Sequence, residues 1–150
     1  AAALGIAALV TANVEALRAP LFYSDYHGIP AVYEALNNVG RNAVLAWFPF
    51  YNSAQFHQNA PLMLVSTQTF NPMVNGYSGF KPASFYKNVE ELAGFPDERS
   101  IAHLQRLGVS VVLVDGRNMR PANLARLADV PQLSKIADDG NLRIYLLRHD

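Results

Sequence analysis

The run Val109-Ser110-Val111-Val112-Leu113-Val114 decides the fold of this chain. Five of its six side chains are apolar and branched, which favours a β-strand buried in the core. The pair Asp115-Gly116 follows directly, and because such a pair favours a turn, the strand is predicted to end at Val114. The run therefore predicts the central strand of a sheet that is covered by helices.

Two helices are predicted before this strand, at about residues 83–92 and 98–107. In each of them, apolar side chains recur at the spacing that lines up one face of a helix. Gly94 and Gly108 end the two helices, and Asp97 is a candidate N-cap for the second. The strand is thus preceded by two amphipathic helices that can pack on the sheet.

A helix and two strands are predicted after the central strand. The helix covers about residues 121–128, and the strands cover about residues 133–137 and 142–147. The pair Asp139-Gly140 separates the two strands, and an Asp-Gly turn in this position is a strong signal for a β-hairpin. We therefore expect the chain to close with an antiparallel hairpin.

The first half of the chain adds a helix at about residues 30–39 and strands at about residues 43–48 and 62–67, with a loop over residues 51–61. Strands that alternate with helices indicate an α/β fold. We predict a single α/β domain over residues 20–150, with a mixed β-sheet, flanking helices and the C-terminal β-hairpin.

Residues 1–19 are predicted to form a separate apolar helix that ends before Pro20. Its first 12 residues, AAALGIAALVTA, are almost all apolar. A membrane-spanning helix needs about 20 such residues, and no basic segment of the kind that opens a signal peptide precedes them. Two interpretations stay open: a helix docked on the domain, and the end of a transmembrane helix.

The composition excludes several classes of function. The chain has 150 residues, 12 basic and 12 acidic, so its formal net charge is zero, whereas nucleic-acid-binding proteins normally carry a basic surplus. It has no cysteine, which excludes disulfides and thiol catalysis. Charged residues make up 16%, against about 25% in a typical soluble domain. This low share predicts that part of the surface faces a partner or a membrane.

No residue pattern typical of a metal or cofactor site occurs. The histidines at positions 27, 57, 103 and 149 lack metal-binding spacing, and no glycine-rich phosphate loop is present. We therefore predict no metal and no cofactor. His103 is expected on the solvent side of its helix, and His149 is expected to fray with the C-terminus.

Asp115 has two interpretations. Ligands of open α/β sheets bind beyond the carboxyl ends of the strands, which is where Asp115 stands. In the second interpretation, the pair Asp115-Gly116 only forms a turn, and this interpretation is favoured.

The segment of residues 66–82, here called the aromatic–amide loop, reads STQTFNPMVNGYSGFKP. Aromatic rings can cover the apolar face of a sugar, while amides and hydroxyls can hydrogen-bond to its hydroxyl groups. The loop therefore suits a polyhydroxylated ligand. An Ω-like loop packed by its own aromatic side chains is the structural alternative.

The aromatic–amide loop resembles a stretch of bacterial polytopic membrane proteins related to GT-C-class glycosyltransferases, the dolichyl-phosphate-mannose-protein mannosyltransferase-like proteins. The resemblance rests on Ser66, Thr67, Pro72 and the run Asn75–Phe80, and it extends more weakly over about residues 15–147. The weaker matches are Pro30, Tyr33, Leu36, Phe48-Pro49-Phe50, Phe95-Pro96, Leu104, Gly108 and Val111–Val114. Three positions depart from the family: Thr69-Phe70 replaces a His-Trp pair, Asn71 replaces a basic residue, and Trp47 replaces an acidic one.

The resemblance implies a C-terminal accessory domain on the extracytoplasmic, periplasmic face of a membrane glycosyltransferase-like protein. The catalytic acid of such enzymes lies in the membrane portion, so this chain is not expected to catalyse glycosyl transfer alone. Its partners would be that membrane portion and a glycan or lipid-linked sugar acceptor, with no nucleic acid. Tyr77 and Phe80 would stack on the ligand, and Asn75 and Ser78 would hydrogen-bond to it. The candidate binding residues are Ser66, Asn71, Asn75, Gly76, Tyr77, Ser78, Gly79 and Phe80.

Two alternatives are kept. In the first, the loop only packs on the membrane portion of the parent as structural support, without a ligand. In the second, Ser78 is the nucleophile of a small hydrolase and His57 is its base. Gly76-Tyr77-Ser78-Gly79 lacks the Gly-x-Ser-x-Gly spacing of a nucleophile elbow, so the second alternative is the weaker one.

Overall fold

The computed structural model of the chain describes residues 2–16 and 28–149. Its α-helices are α1 (Ala2–Ala16), α2 (Ala60–Ser66), α3 (Ala83–Leu92), α4 (Glu98–Arg106) and α5 (Pro121–Arg126). Its strands are β1 (Val44–Phe48), β2 (Val109–Asp115), β3 (Leu133–Asp138) and β4 (Leu142–Leu147). Short 3₁₀ helices cover Ala31–Asn38, Phe56–Asn59 and Leu127–Asp129. The expected end of the first helix near Pro20, and His27, lie outside the described residues.

The four strands form one mixed sheet in the order β1-β2-β4-β3. β1 and β2 are parallel, β2 and β4 are antiparallel, and β4 pairs with β3 as a hairpin. β2 is therefore an inner strand, and its apolar side chains are fully buried. The predicted α/β fold with a central strand at Val109–Val114 is confirmed.

The side chains of β2 alternate between two cores because successive residues of a strand point to opposite faces. Val112 and Val114 join a cluster formed by side chains of α3, α4 and the α5 region. Val111 and Leu113 join a second cluster with side chains of α2 and of the 3₁₀ helix Ala31–Asn38. The sheet is thus covered on both faces.

The C-terminal hairpin turns at the predicted Asp139-Gly140 pair. Asp139 Oδ1 accepts hydrogen bonds from the backbone N–H groups of Asn141 and Leu142 at 2.9 and 2.7 Å. Gly140 has a φ of 92°, a conformation that glycine adopts without strain. The turn therefore holds β3 and β4 in register through its own side chain and backbone.

The strand predicted at residues 62–67 is wrong, because these residues form helix α2. Short apolar runs do not distinguish a buried strand from a helix by periodicity. Pro61 lies in the first turn of α2, where its fixed φ favours a helix. Leu62 and Val65 pack on the second core, which is the i,i+3 spacing of one helix face, while Met63 and Leu64 are exposed.

Part of the aromatic–amide loop lies along the free edge of β1. The N–H of Leu45 donates to Pro72 O at 2.8 Å, and the N–H of Val74 donates to Leu45 O at 2.9 Å. The side chain of Asn75 continues this ladder: Trp47 N–H donates to its Oδ1 at 2.9 Å, and its Nδ2 donates to Trp47 O at 2.8 Å. The loop therefore caps the sheet edge with two backbone hydrogen bonds and one side-chain amide.

Helix α1 exposes its side chains along the described part of its length. Leu4, Ile6, Leu9, Val10 and Val14 are each more than half exposed. None of the helices in the described ranges combines the length and the apolar character that crossing a membrane requires.

The predicted solvent-facing position of His103 is wrong. His103 is buried between α4 and α3, where its Nε2 lies 2.9 Å from Oδ1 of Asn88. The spacing of apolar residues in α4 places His103 on the solvent side of that helix, but α3 packs against this side and buries it. His149 is exposed, and its Nε2 lies 2.7 Å from the carbonyl oxygen of Val109; fraying of this end stays a prediction.

We expect His103 to make stability depend on pH near neutrality. Burial, together with the positive charge of Arg106, lowers the pKa of His103 from its ordinary 6.5. The folded state then prefers the neutral ring, so stability is fully present above pH 6.5 and falls as the pH drops toward the folded-state pKa. Urea unfolding between pH 7.5 and 5 is expected to show this loss, and His103→Gln is expected to remove it. An equal loss in the variant would contradict the assignment.

Candidate ligand-binding crevice

A crevice of about 420 Å³ opens at the carboxyl ends of the parallel strands β1 and β2. Its floor is the second core, and its walls come from the 3₁₀ helix Ala31–Asn38, from α2 and from the turn after β2. Ligands of open α/β sheets bind beyond the carboxyl ends of the strands, and cavities of this volume hold small organic ligands. Position and size both make it the leading candidate site.

Asp115, the last residue of β2, organises one wall of the crevice. Its Oδ1 accepts from the backbone N–H and from Nε of Arg117, at 3.0 and 2.9 Å. Its Oδ2 accepts from Nη2 of Arg117 and Nδ2 of Asn118, at 2.9 and 3.0 Å. These four bonds fill the acceptor positions of the carboxylate. Asp115 therefore serves to hold Arg117 and Asn118 in place, and it turns the chain as the favoured interpretation predicts.

The carboxylate of Asp115 stays ionised in this setting. Burial raises its pKa, but the hydrogen bonds from Arg117 and Asn118 outweigh burial and hold the pKa below its ordinary value. The guanidinium of Arg117 uses two of its five N–H donors on the carboxylate and is more than half exposed. The remaining donors of Arg117 are available at the mouth of the crevice.

Aromatic side chains form the opposite wall. Tyr33 stacks on Trp47 with ring centroids 5.5 Å apart, and Tyr51 lies beyond the end of β1. Burial, and after it the negative charge of Asp115, raises the pKa of both Tyr33 and Tyr51. Both phenols therefore stay protonated and keep a hydroxyl that can donate or accept a hydrogen bond.

The described lining of the crevice carries no net charge. Asp115 and Arg117 are its only ionised side chains, and they neutralise each other. The other polar groups are the amides of Gln58 and Asn118 and the phenols of Tyr33 and Tyr51. A dianionic ligand would find one positive charge that is already paired. The lining therefore suits a neutral ligand with many hydroxyl groups and one apolar face.

No protein-family model matches the chain, and no curated protein is significantly similar to it. The functional inference for this chain thus depends on the residues of the crevice and of the loop.

The predicted binding residues do not form one site. The amides of Asn71 and Asn75 are both buried and hold the loop to the β1 segment: Asn71 Nδ2 donates to the carbonyl oxygens of Gly40 and Ala43, and Asn75 pairs with Trp47. Ser66 Oγ donates to Met63 O within its own helix. These three side chains therefore have protein partners.

The second part of the loop lines a separate shallow cavity of about 320 Å³ beside Phe56 and Phe85. Tyr77 packs on Phe56 with ring centroids 5.2 Å apart, while Phe80 is exposed. Gly76 contacts Met63, and Gly79 has open space around it. Stacking of Tyr77 and Phe80 on a ligand stays a prediction.

Ser78 makes a closed local turn. Its Oγ donates to Phe80 O at 2.7 Å and lies 3.3 Å from the N–H of Phe80. Within the part of the chain that the structure describes, Ser78 has no hydrogen bond to a histidine, which a serine nucleophile needs for activation. Within the same ranges, no group of three potential metal ligands occurs.

The crevice residues could not be predicted from the sequence because they come from distant parts of the chain. Tyr33, Trp47, Gln58 and Arg117 meet only after β1 and β2 have paired. The one sequence signal is the position of Asp115 at the carboxyl end of the central strand. Arg117, two residues after Asp115, is a second polar residue close to the end of this strand.

Proposed function

We propose that this chain is a non-catalytic domain that binds a neutral saccharide in the crevice at the carboxyl ends of β1 and β2. The observation that carries the proposal is the lining without net charge, which combines the paired Asp115 and Arg117 with the stacked rings of Tyr33 and Trp47. A sugar ring has the same two-sided character, with polar edges and an apolar face.

Each wall has a distinct role in this proposal. Arg117 and Asn118 donate hydrogen bonds to ring hydroxyls, and Asp115 keeps both side chains oriented. The apolar face of the sugar packs toward Trp47 and Tyr51. Because no nucleophile or free general base lines the crevice among the described residues, the bound sugar is held and oriented, and its bonds stay intact.

The wider proposal is that the domain belongs to a membrane glycosyltransferase-like protein and orients its glycan or lipid-linked sugar acceptor on the extracytoplasmic face. It is supported by the resemblance of the run Asn75–Phe80 to GT-C-class proteins. In this setting the exposed rings of Tyr77 and Phe80 add contacts to further sugar units of the same acceptor.

The test is a titration of the full chain with neutral methyl glycosides and short neutral oligosaccharides, followed by NMR. We expect shifts of crevice resonances, and we expect Arg117→Met to weaken binding about 10- to 100-fold, since a hydrogen bond from a charged group contributes about 1.5–3 kcal/mol. Arg120→Met is the matched control, because Arg120 is exposed and lies outside the crevice. Shifts that avoid the crevice, or equal losses in both variants, would refute the proposal.

A structural role without a ligand is the second candidate, and the exposed apolar side chains of α1 favour it. In that case the domain would dock α1 and its neighbouring surface on the membrane portion of the parent. Reconstitution with lipid vesicles is expected to protect α1 from proteolysis if this role holds, independently of saccharide binding.

A further inference from the structure

A second cavity, of about 510 Å³, lies at the amino end of β1, at the opposite end of the strand from the crevice. It opens between the turn before β1 and the start of the aromatic–amide loop. Its polar and aromatic lining comes from Asn37, Arg41, Gln68, Thr69, Phe70 and Asn71. None of these residues contributes to the crevice.

Asn71 lines this cavity and carries a buried acceptor that lacks a partner among the described residues. The residue is 5% exposed, and its Nδ2 donates to Gly40 O and Ala43 O at 2.9 and 3.0 Å. Two carbonyl partners fix the orientation of the amide, so Oδ1 is the atom that lacks a partner among the described residues. A buried acceptor without a partner costs about 1–3 kcal/mol, and folded proteins seldom leave one. Gln68 Oε1 and Thr69 Oγ1 lack partners beside it.

Phe70 presents an aromatic ring to solvent at the rim of the same cavity. It is 80% exposed, and its φ of 54° is in the left-handed region that bulky side chains avoid. The bond from its N–H to Ser66 O at 2.7 Å, and the anchored amide of Asn71, impose this conformation. The backbone strain opposes folding here, and strained residues of this kind cluster at ligand sites.

Arg41 gives the cavity a net positive charge. It is the only ionised side chain in the described lining, and it forms no ion pair with any residue in the described ranges. This charge distinguishes the cavity from the neutral crevice.

We propose that this cavity binds an anionic sugar, a saccharide ring that carries one carboxylate or phosphate group. Arg41 pairs with the anionic group, and Phe70 packs on the apolar face of the ring. The proposal does not depend on saccharide binding in the crevice.

The test uses the full chain and four probes followed by NMR: methyl glucuronide, glucose 6-phosphate, methyl glucoside and inorganic phosphate. We expect one or both charged sugars to shift resonances of residues 68–71, and the better of the two identifies the anionic group. The neutral glucoside and phosphate alone are expected to bind at least tenfold more weakly. Phosphate that binds as well as the sugars would overturn the sugar assignment, and no shift at residues 68–71 would overturn the site.

Phe70→Asn is the decisive variant, because asparagine tolerates a positive φ while lacking the ring. We expect a melting temperature equal to or above that of the wild type, together with at least tenfold weaker binding of the charged sugar. Arg41→Gln is expected to remove the preference for charged sugars, and Arg126→Gln, an exposed control, is expected to keep it. Arg117→Met should leave this binding unchanged, so failure here and failure of the crevice proposal are distinguishable. Unchanged affinity in Phe70→Asn would contradict the proposed stacking.

Discussion

Asn75→Ala is expected to lower the free energy of unfolding by about 3 kcal/mol. The alanine leaves the N–H and the carbonyl oxygen of Trp47 without partners at a buried edge of β1, and each unsatisfied group costs about 1–3 kcal/mol. The loop segment keeps its backbone bonds to Leu45 and the bonds of the Asn71 amide, so the loss is confined to the Trp47 end of the edge. Chemical denaturation of the two proteins, with the midpoint and slope compared, measures the loss.

Asn38→Ala is the matched control, since Asn38 is an exposed residue at the end of a 3₁₀ helix. Its replacement is expected to change stability by less than about 0.5 kcal/mol. If both variants lost the same amount, the amide of Asn75 would not act as part of the sheet. The variant Asn75→Asp is also expected to be unstable, because a carboxylate cannot donate to Trp47 O.

Asp115→Asn is expected to weaken saccharide binding in the crevice by about 10- to 100-fold, which corresponds to the loss of one charge-assisted hydrogen bond. Asparagine turns an N–H₂ group toward donors of Arg117 or Asn118, so at least one of these side chains loses its partner. The orientation of both donors toward the ligand is then lost. Calorimetric titration with the saccharide that binds the wild type best measures the change.

Asp129→Asn provides the comparison for this prediction, because Asp129 is exposed and lies outside the crevice. It is expected to bind the saccharide with wild-type affinity. Because the pKa of Asp115 is lowered, its contribution to stability is present above its ordinary pKa of 3.8 and is lost as the pH falls through the folded-state value. Wild-type affinity in Asp115→Asn would show that Arg117 needs no support from the carboxylate.

The features that follow from local physics could be predicted from the sequence. The run of apolar branched residues in β2, broken only by Ser110, identifies the central strand, and the Asp139-Gly140 turn identifies the hairpin. The cap on α4 is another case, since Asp97 Oδ1 accepts from Ser100 N–H at 2.8 Å as expected. Each of these depends on residues that are close together in the chain.

The features that depend on tertiary contacts could not be predicted. Leu62 and Val65 fit a strand or a helix equally well until the position of the core is known. The amide of Asn75 looks like a free ligand contact in the sequence, yet the edge of β1 takes both of its hydrogen-bonding groups. The crevice itself is assembled from segments far apart in the chain, such as those of Tyr33 and Asn118, so no local pattern reveals it.

The capped edge of β1 also limits how copies of this domain can associate. Residues 72–75 occupy the hydrogen-bonding groups of Leu45 and Trp47, so a strand from another molecule cannot add there. The opposite edge of the sheet is β3, where Lys135 and Ile136 are exposed and no backbone partner lies on the outer side among the described residues. Within the described sheet, backbone pairing between molecules can therefore proceed only through β3. Within the described sheet, such pairing ends at two copies, because each copy turns its capped β1 edge outward.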